Sequence, residues 1–224
     1  MPDNLELVQR SVQIPPSGVA GDLAIPADPR GSIIFAHGSG SSRLSGRNRF
    51  VAGVLQRVRF ATLLLDLLTA EEERVDLQTR QLRFNIDLLA TRLVQATRWL
   101  AADPQLGALP VGYFGASTGA AAAFVAAGQL RHAICAIVSR GGRPDLAGNA
   151  LTAVRAPTLL IVGGDDPVVL ELNEKALGML QCEKKLDIVP NATHLFEEPG
   201  ALEQVASLAC AWFVLRMKID GELP

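Results

Sequence analysis

The stretch "YFGASTG", residues Tyr113–Gly119, decides how this chain should fold. It places Ser117 between two glycines, each two positions away, after the apolar run "LPVGYF" and before the small-residue run "AAAAFVAAG". This order predicts a buried strand, a tight turn and a helix. A nucleophilic serine on such a turn has strained backbone angles, and side chains two positions away would collide with the strand and the helix. The alternative is an ordinary serine in a glycine-rich packing turn, and the flanking pattern favours the nucleophile.

Apolar runs alternate with helical patterns along the rest of the chain. Near the N-terminus, Val12 and Ile14 alternate with polar residues before "PPSG", which indicates an antiparallel hairpin. Helical stripes begin after Asn85, a potential cap, and recur from Val169 and from Leu202. The continuous apolar runs, typical of strands buried on both faces, are "SIIFA", "FATLLLDLL", "VGYFG", "HAICAIVS", "PTLLIVGG" and "KLDIVP". The alternation predicts an α/β fold with a mostly parallel sheet.

Length and composition narrow the class of protein. The 224 residues suit one domain over residues 1–224, and the net charge of −2 disfavours a general nucleic-acid binder. Cys135, Cys182 and Cys210 are too widely spaced for a disulfide framework or a metal knuckle and indicate a reducing compartment. Neither a secretory signal nor a membrane-spanning apolar run is visible. We therefore expect a cytoplasmic protein without membrane or nucleic-acid partners.

A serine nucleophile needs a base, and the chain offers three histidines. His194 follows Ser117 and lies in "VPNATHLFEEPG", between the last predicted strand and the last helix. His132 is predicted at the opposite end of a strand, where a structural or surface role is favoured. His37 opens a glycine-rich loop, so a role in bracing that loop is favoured over proton transfer. His194 is the predicted base.

The base needs an acid that fixes its tautomer. Asp165 and Asp166 directly follow the strand "LLIVGG", and we favour Asp166 with Asp165 as the fallback. Asp145 comes one strand earlier, and Asp187 lies within a strand. Either residue of the preferred pair could instead cap the helix beginning "PVVLELN".

An oxyanion hole can form at "FAHGSGSSR", residues Phe35–Arg43. Backbone N–H groups in a glycine-rich loop can approach a developing negative charge closely. We expect the amides of Ser39 and Thr118, the residue after the nucleophile, to be the donors. The loop lacks the G-K-[ST] ending of a phosphate cradle, which argues against nucleotide binding.

The motifs "HGSGSS", "GASTG", "VGGDD" and "THLFEEPG" together resemble the α/β-hydrolase superfamily, specifically its dienelactone-hydrolase-like branch. The resemblance covers most of the chain from about Gly31. It implies a mostly parallel, twisted sheet of about seven to eight strands flanked by helices, and it implies no cofactor and no metal. Dienelactone hydrolases proper carry a cysteine nucleophile, so the serine here favours ordinary ester hydrolysis. The segment Ser139–Pro157 is too short for a substantial lid, which predicts an open site.

The predicted function is a serine hydrolase that cleaves small carboxylic esters, with lactones as a further class, through an acyl-enzyme. The same triad could serve an acyltransferase or a thioesterase, and a catalytically silent binding module is the rival from another class. We expect a small-molecule ester as the partner and a monomer or small homo-oligomer.

Three arginines are predicted near the mouth of the site. Arg43 ends the oxyanion loop, and Arg140 and Arg143 follow the strand "ICAIVS". Their guanidiniums could bind a carboxylate of the substrate. Alternatively, they are solvated or paired with loop acids such as Asp145.

Overall fold

A single sheet of eight strands forms the centre of the computed structural model, which describes residues 6–217. The spatial order of the strands is β1-β2-β4-β3-β5-β6-β7-β8. The strands are β1 Leu7–Ile14, β2 Val19–Pro26, β3 Gly31–Ala36, β4 Phe60–Leu65, β5 Val111–Ala116, β6 Ile134–Arg140, β7 Thr158–Gly163 and β8 Lys184–Val189. The predicted α/β architecture is confirmed, while one domain over residues 1–224 stays a prediction.

Only β2 runs opposite to the other strands of the sheet. The hairpin β1–β2 and the pair β2–β4 are antiparallel, and every pair from β4 to β8 is parallel. The carboxyl ends of β3, β5, β6, β7 and β8 therefore meet at one edge, which is where ligands bind in open parallel sheets. The loops after these strands carry the predicted catalytic residues.

Helices cover both faces of the sheet, as parallel strands require. Helices α1 and α6 pack on one face around Phe35, Phe114 and Phe213, and α3, α4 and α5 pack on the other around Tyr113 and Phe124. The helices are α1 Gly46–Arg57, α2 Ala70–Thr79, α3 Ile86–Ala101, α4 Thr118–Leu130, α5 Pro167–Met179 and α6 Ala201–Arg216. No helix within residues 6–217 has both the length and the apolar character needed to cross a membrane.

Local capping explains where two of the helices begin. The side chain of Asn85 accepts a hydrogen bond from the Leu88 N–H at the start of α3, as its position predicted. Helix α2 starts with a capping box, in which Thr69 and Glu72 exchange side-chain-to-backbone bonds. These bonds satisfy N–H groups that a helix leaves without an internal partner.

The segment between β6 and β7 contains short 3₁₀ turns and no large insertion. These turns span Pro144–Ala153 and pack against α4, with Ala147 and Leu151 buried in the core. Because the segment is held against the body of the fold, it forms no large lid over the edge where the strands end. This agrees with the prediction drawn from its length.

Candidate active site

Ser117 lies on the sharp turn between β5 and α4. Its backbone angles are φ 50° and ψ −120°, a left-handed conformation that residues other than glycine rarely adopt. The turn is held by a bond from the Ser117 N–H to the Arg140 carbonyl, 3.2 Å, and by a bond from the Arg143 N–H to the Ser117 carbonyl, 3.1 Å. A strained serine at the end of a central strand has the geometry of a nucleophile elbow.

The two glycines of the motif are required by close backbone contacts. A Cβ on Gly115 would lie 2.5 Å from the Cα of Ala120, within the following helix. A Cβ on Gly119 would lie 2.3 Å from the carbonyl oxygen of Ala36, at the end of β3. The crowding predicted from the spacing is therefore present, although the second collision involves the neighbouring strand β3 rather than β5.

The structure brings His194 and Asp166 together from loops 28 residues apart. The Nδ1 atom of His194 lies 2.7 Å from Oδ2 of Asp166. Because the carboxylate faces Nδ1, that nitrogen carries the proton and donates it, which leaves Nε2 free to accept one. Asp166 is the N-cap residue of α5, but its side chain makes no capping bond. Asp165 is exposed and contributes only its N–H, to the Ala192 carbonyl.

A close crossing of the chain positions the His194 loop. The residues after β8 pass over the end of β7, where a Cβ on Gly163 would lie 2.2 Å from the Ala192 carbonyl oxygen. Gly141, which follows β6 with φ 50°, adjoins the His194 ring, so that a Cβ there would contact Nδ1 at 3.4 Å. Sequence reasoning missed both contacts, and the only signal for them was a glycine at the end of a buried strand or directly after it.

Ser117 and His194 both adjoin the end of β6. Ser117 bonds to the backbone of Arg140, and His194 packs on the next residue, Gly141. In the described part of the chain no hydrogen bond joins the Ser117 hydroxyl to the His194 ring. Such bonds are often long before substrate binds and shorten in the reacting complex.

The loop after β3 lies directly against Ser117. A Cβ on Gly38 would be 3.1 Å from the Cβ of Ser117. Within residues 6–217, no hydrogen bond uses the N–H of Ser39 or of Thr118, so both are available as donors. The Thr118 N–H is at the start of α4, where the helix dipole also favours negative charge.

His37 braces this loop. Its Nε2 accepts a bond from the Leu67 N–H, 3.1 Å, so Nδ1 carries the proton and donates to the Gly38 carbonyl, 2.8 Å. Burial lowers the pKa of His37 below its ordinary value, more than the Gly38 bond and nearby carboxylates raise it. The predicted bracing role agrees with these bonds.

Two of the three predicted arginines are engaged by carboxylates. Arg43 pairs with Asp66 at 2.5 Å and with Asp22 at 3.4 Å, and Arg143 forms a two-bond pair with Asp145. Arg140 is buried and no carboxylate in the described part of the chain pairs with it. The structure therefore does not present three free guanidiniums at one mouth.

The other candidates lie away from the reacting groups. His132 is exposed in the 3₁₀ turn before β6, at the opposite edge of the sheet. Asp187 lies in β8, and Cys135, Cys182 and Cys210 are unpaired. In the described residues, no cluster of three or more histidine, cysteine, aspartate or glutamate side chains is arranged to hold a metal ion.

Comparison with solved structures finds close similarity to a dienelactone hydrolase from Anabaena variabilis. The two chains are 56% identical, the match covers 96% of this chain and 99% of that one, and the TM-score is 0.92. Est1E from Butyrivibrio proteoclasticus shares the fold with a TM-score of 0.76 at 14% identity, covering 92% of this chain and 98% of that one. No family model matches the sequence.

Two curated proteins are also similar to this chain, but their name indicates a different activity. Two Mycobacterium tuberculosis proteins, from strains CDC 1551 and H37Rv, are each 62% identical to this chain over 199 residues, and both are named as candidate phosphoribosyl transferases. The match covers 89% of this chain but only 44% of each relative. The chain thus spans less than half the length of these relatives. Their name therefore applies to proteins in which more than half of the length has no match in this chain.

Proposed function

Since the chain belongs to the dienelactone-hydrolase-like branch of the α/β-hydrolases, we propose that it is a serine hydrolase that cleaves small carboxylic esters. The observation that carries the proposal is the left-handed Ser117 elbow beside the His194–Asp166 pair at 2.7 Å. A binding module would need neither the strained serine nor the oriented histidine. Lactones, which are cyclic esters, are a further substrate class for the same chemistry.

The proposed reaction has two steps. His194 Nε2 takes the proton of Ser117 as Oγ attacks the ester carbonyl carbon, and the N–H groups of Ser39 and Thr118 stabilise the oxyanion that develops. Collapse of this intermediate breaks the C–O bond, and the imidazolium gives its proton to the departing alcohol. Water, deprotonated by His194, then attacks the acyl-enzyme and releases the acid. Asp166 holds the imidazole in the required tautomer and stabilises its charged form.

Exposure of the site favours water over another acceptor of the acyl group. The side chain of His194 is 38% exposed, and Ser39 and Gly40 of the oxyanion loop are exposed. Transfer to an alcohol or amine requires that water be kept from the acyl-enzyme. The open edge supports hydrolysis as the main outcome, with acyl transfer and thioester cleavage as rival uses of the same residues.

Covalent labelling tests the nucleophile directly. A fluorophosphonate probe should label the wild-type chain at Ser117, and Ser117→Ala should abolish the label while circular dichroism stays unchanged. Ser207→Ala, an exposed serine on α6, is the matched control and should label normally. A wild-type chain that does not label, or a Ser117→Ala chain that does, would refute the assignment. Acyl acceptors added during turnover of a chromogenic ester separate hydrolysis from transfer.

A further inference from the structure

Arg140 is a buried cation without a carboxylate partner. It is 7% exposed, and its Nε and Nη1 atoms are shielded from solvent without any hydrogen bond. Burial, together with the positive charge of Arg47, lowers the pKa of Arg140 to about 10. Burying a charge is costly unless it is paired, so such an arginine marks a place where an anion is expected.

The side chain of Arg140 lies on the face of the sheet that carries α1 and α6. It shares its side of β6 with Ala136 and Val138, which pack in the same cluster as Phe196. The guanidinium carbon of Arg140 is 6.0 Å from the centre of the Phe196 ring. Phe196 and Arg47 line one open cavity of about 630 Å³.

A second cation and the N-terminus of a helix line this cavity. Arg47 is the second residue of α1, whose first-turn N–H groups favour negative charge. The Nη1 atom of Arg47 bonds to Glu197 at 2.9 Å, while its Nε atom is buried and unpaired. Glu197 is 64% exposed, so this ion pair contributes little and can be displaced.

The acidic residues of the cavity leave Arg140 unpaired. Glu203 is exposed, and Oε1 of Glu198 accepts a bond from the Thr193 hydroxyl. None of the three glutamates forms an ion pair with Arg140. Arg47 lines the cavity, whereas the unpaired guanidinium of Arg140 lies behind it, against the Phe196 ring that forms part of its wall. A buried unpaired guanidinium and a displaceable one therefore lie near the N-terminus of α1.

From this arrangement we propose that Arg140 and Arg47 bind a phosphate group carried by the ester substrate. Two guanidiniums from different elements, near a helix N-terminus, match the several oxygens and up to two negative charges of a phosphate better than a carboxylate. The group would lie beside the reacting centre, because the Arg140 carbonyl holds the Ser117 N–H and Gly141 packs on His194. That the phosphate belongs to the substrate rests on the proposed ester hydrolysis.

Binding of inorganic phosphate tests the site without relying on catalysis. Calorimetry on the Ser117→Ala chain should detect phosphate, and Arg140→Gln should weaken its binding at least tenfold. Arg140→Lys, which keeps the charge but loses the planar fork, should also weaken it.

Glu197→Gln should tighten phosphate binding severalfold because it frees Arg47. Arg143→Gln, which removes a neighbouring paired arginine, is the control and should have no effect. Unchanged binding in both Arg140 variants, or tighter binding of succinate than of phosphate, would overturn the proposal.

Kinetics test whether the phosphate belongs to the substrate. For a matched pair of esters with and without a phosphate on the alcohol, the wild-type chain should have a higher kcat/KM for the phosphorylated ester. Arg140→Gln should remove that preference, so that the two esters are hydrolysed with equal kcat/KM. Competitive inhibition of ester hydrolysis by inorganic phosphate supports the proposal, and noncompetitive inhibition would refute its substrate part. A chain that binds phosphate but hydrolyses no ester would refute the proposed hydrolysis and leave the anion site standing.

Discussion

Two adjacent carboxylates at the end of β7 occupy different environments. Asp166 contacts the His194 ring, whereas Asp165 is exposed and uses only its backbone N–H. Asp166→Asn should lower ester turnover by roughly 10³–10⁴-fold, because an amide does not hold the imidazole tautomer that catalysis needs. Asp165→Asn should change turnover by no more than a few-fold. Steady-state kinetics of the two purified variants provide the measurement, and the reverse ranking would move the acid to Asp165.

His37 should make stability depend on pH. Its pKa is lowered in the folded chain, so the unfolded chain binds the proton more tightly. The stabilisation is therefore complete above the unfolded pKa of about 6.5 and is lost as the pH falls below it. His37→Gln should flatten this part of the profile when urea unfolding is followed at pH 7.5 and pH 5.5. His132→Gln, a change at an exposed histidine, should retain the wild-type slope; an equally steep slope in His37→Gln would contradict the assignment.

Sequence reasoning found the triad candidates because each follows a recognisable strand. The ends of parallel strands share one edge, so Asp166 and His194 could be expected to meet although 28 residues separate them. The partners of the predicted arginines could not be identified in the same way. The Arg43 partners, Asp22 and Asp66, come from other elements, and their contact with Arg43 depends on packing that no local pattern reveals.

At the scale of elements, α4 can begin where it does only because Gly119 has no side chain. A Cβ there would lie 2.3 Å from the Ala36 carbonyl oxygen, so Gly119→Ala must displace either β3 or the helix. We expect a lower melting temperature and loss of probe labelling. Gly53→Ala is the matched control in α1, where nothing lies within 4 Å of the added carbon. It should raise the free energy of unfolding by about 0.5–1 kcal/mol. Equal stability of the two variants would argue against the close contact.

The helices differ in how clearly the sequence indicates them. Helix α3 has buried residues on a regular stripe and an asparagine cap, and both were visible as a pattern. Helices α1 and α2 were not predicted. In α2 only Asp76 is buried, where it bonds to the backbone and side chain of Arg83, so no apolar stripe exists to detect. Its capping box and its acidic first turn were the available signals.

At the scale of the whole molecule, residues 6–217 contain no large lid, which limits the acyl chains that can be bound. The 3₁₀ segment Pro144–Ala153 packs on α4 and provides no wall over the site. Each methylene contributes about 0.8 kcal/mol only when it is buried, so long chains gain little here. Hydrolysis of p-nitrophenyl esters should be fastest from acetate to butyrate and should decline by octanoate. A rate that rises with chain length would indicate an apolar channel.

Ser117, Asp166 and His194 follow three different strands, so the site can form only when these strands have assembled. The proposed nucleophile follows β5, the proposed acid follows β7 and the proposed base follows β8, so the proposed site requires all of these strands to be in place. Pairing of this kind between distant segments is the slow part of folding an α/β chain. If Ser117 is the nucleophile, a covalent probe added at intervals during refolding would count only molecules whose sheet is complete. Circular dichroism would detect helices that form earlier. The delay between the circular dichroism signal and probe labelling would measure how long the strands take to pair in their final register.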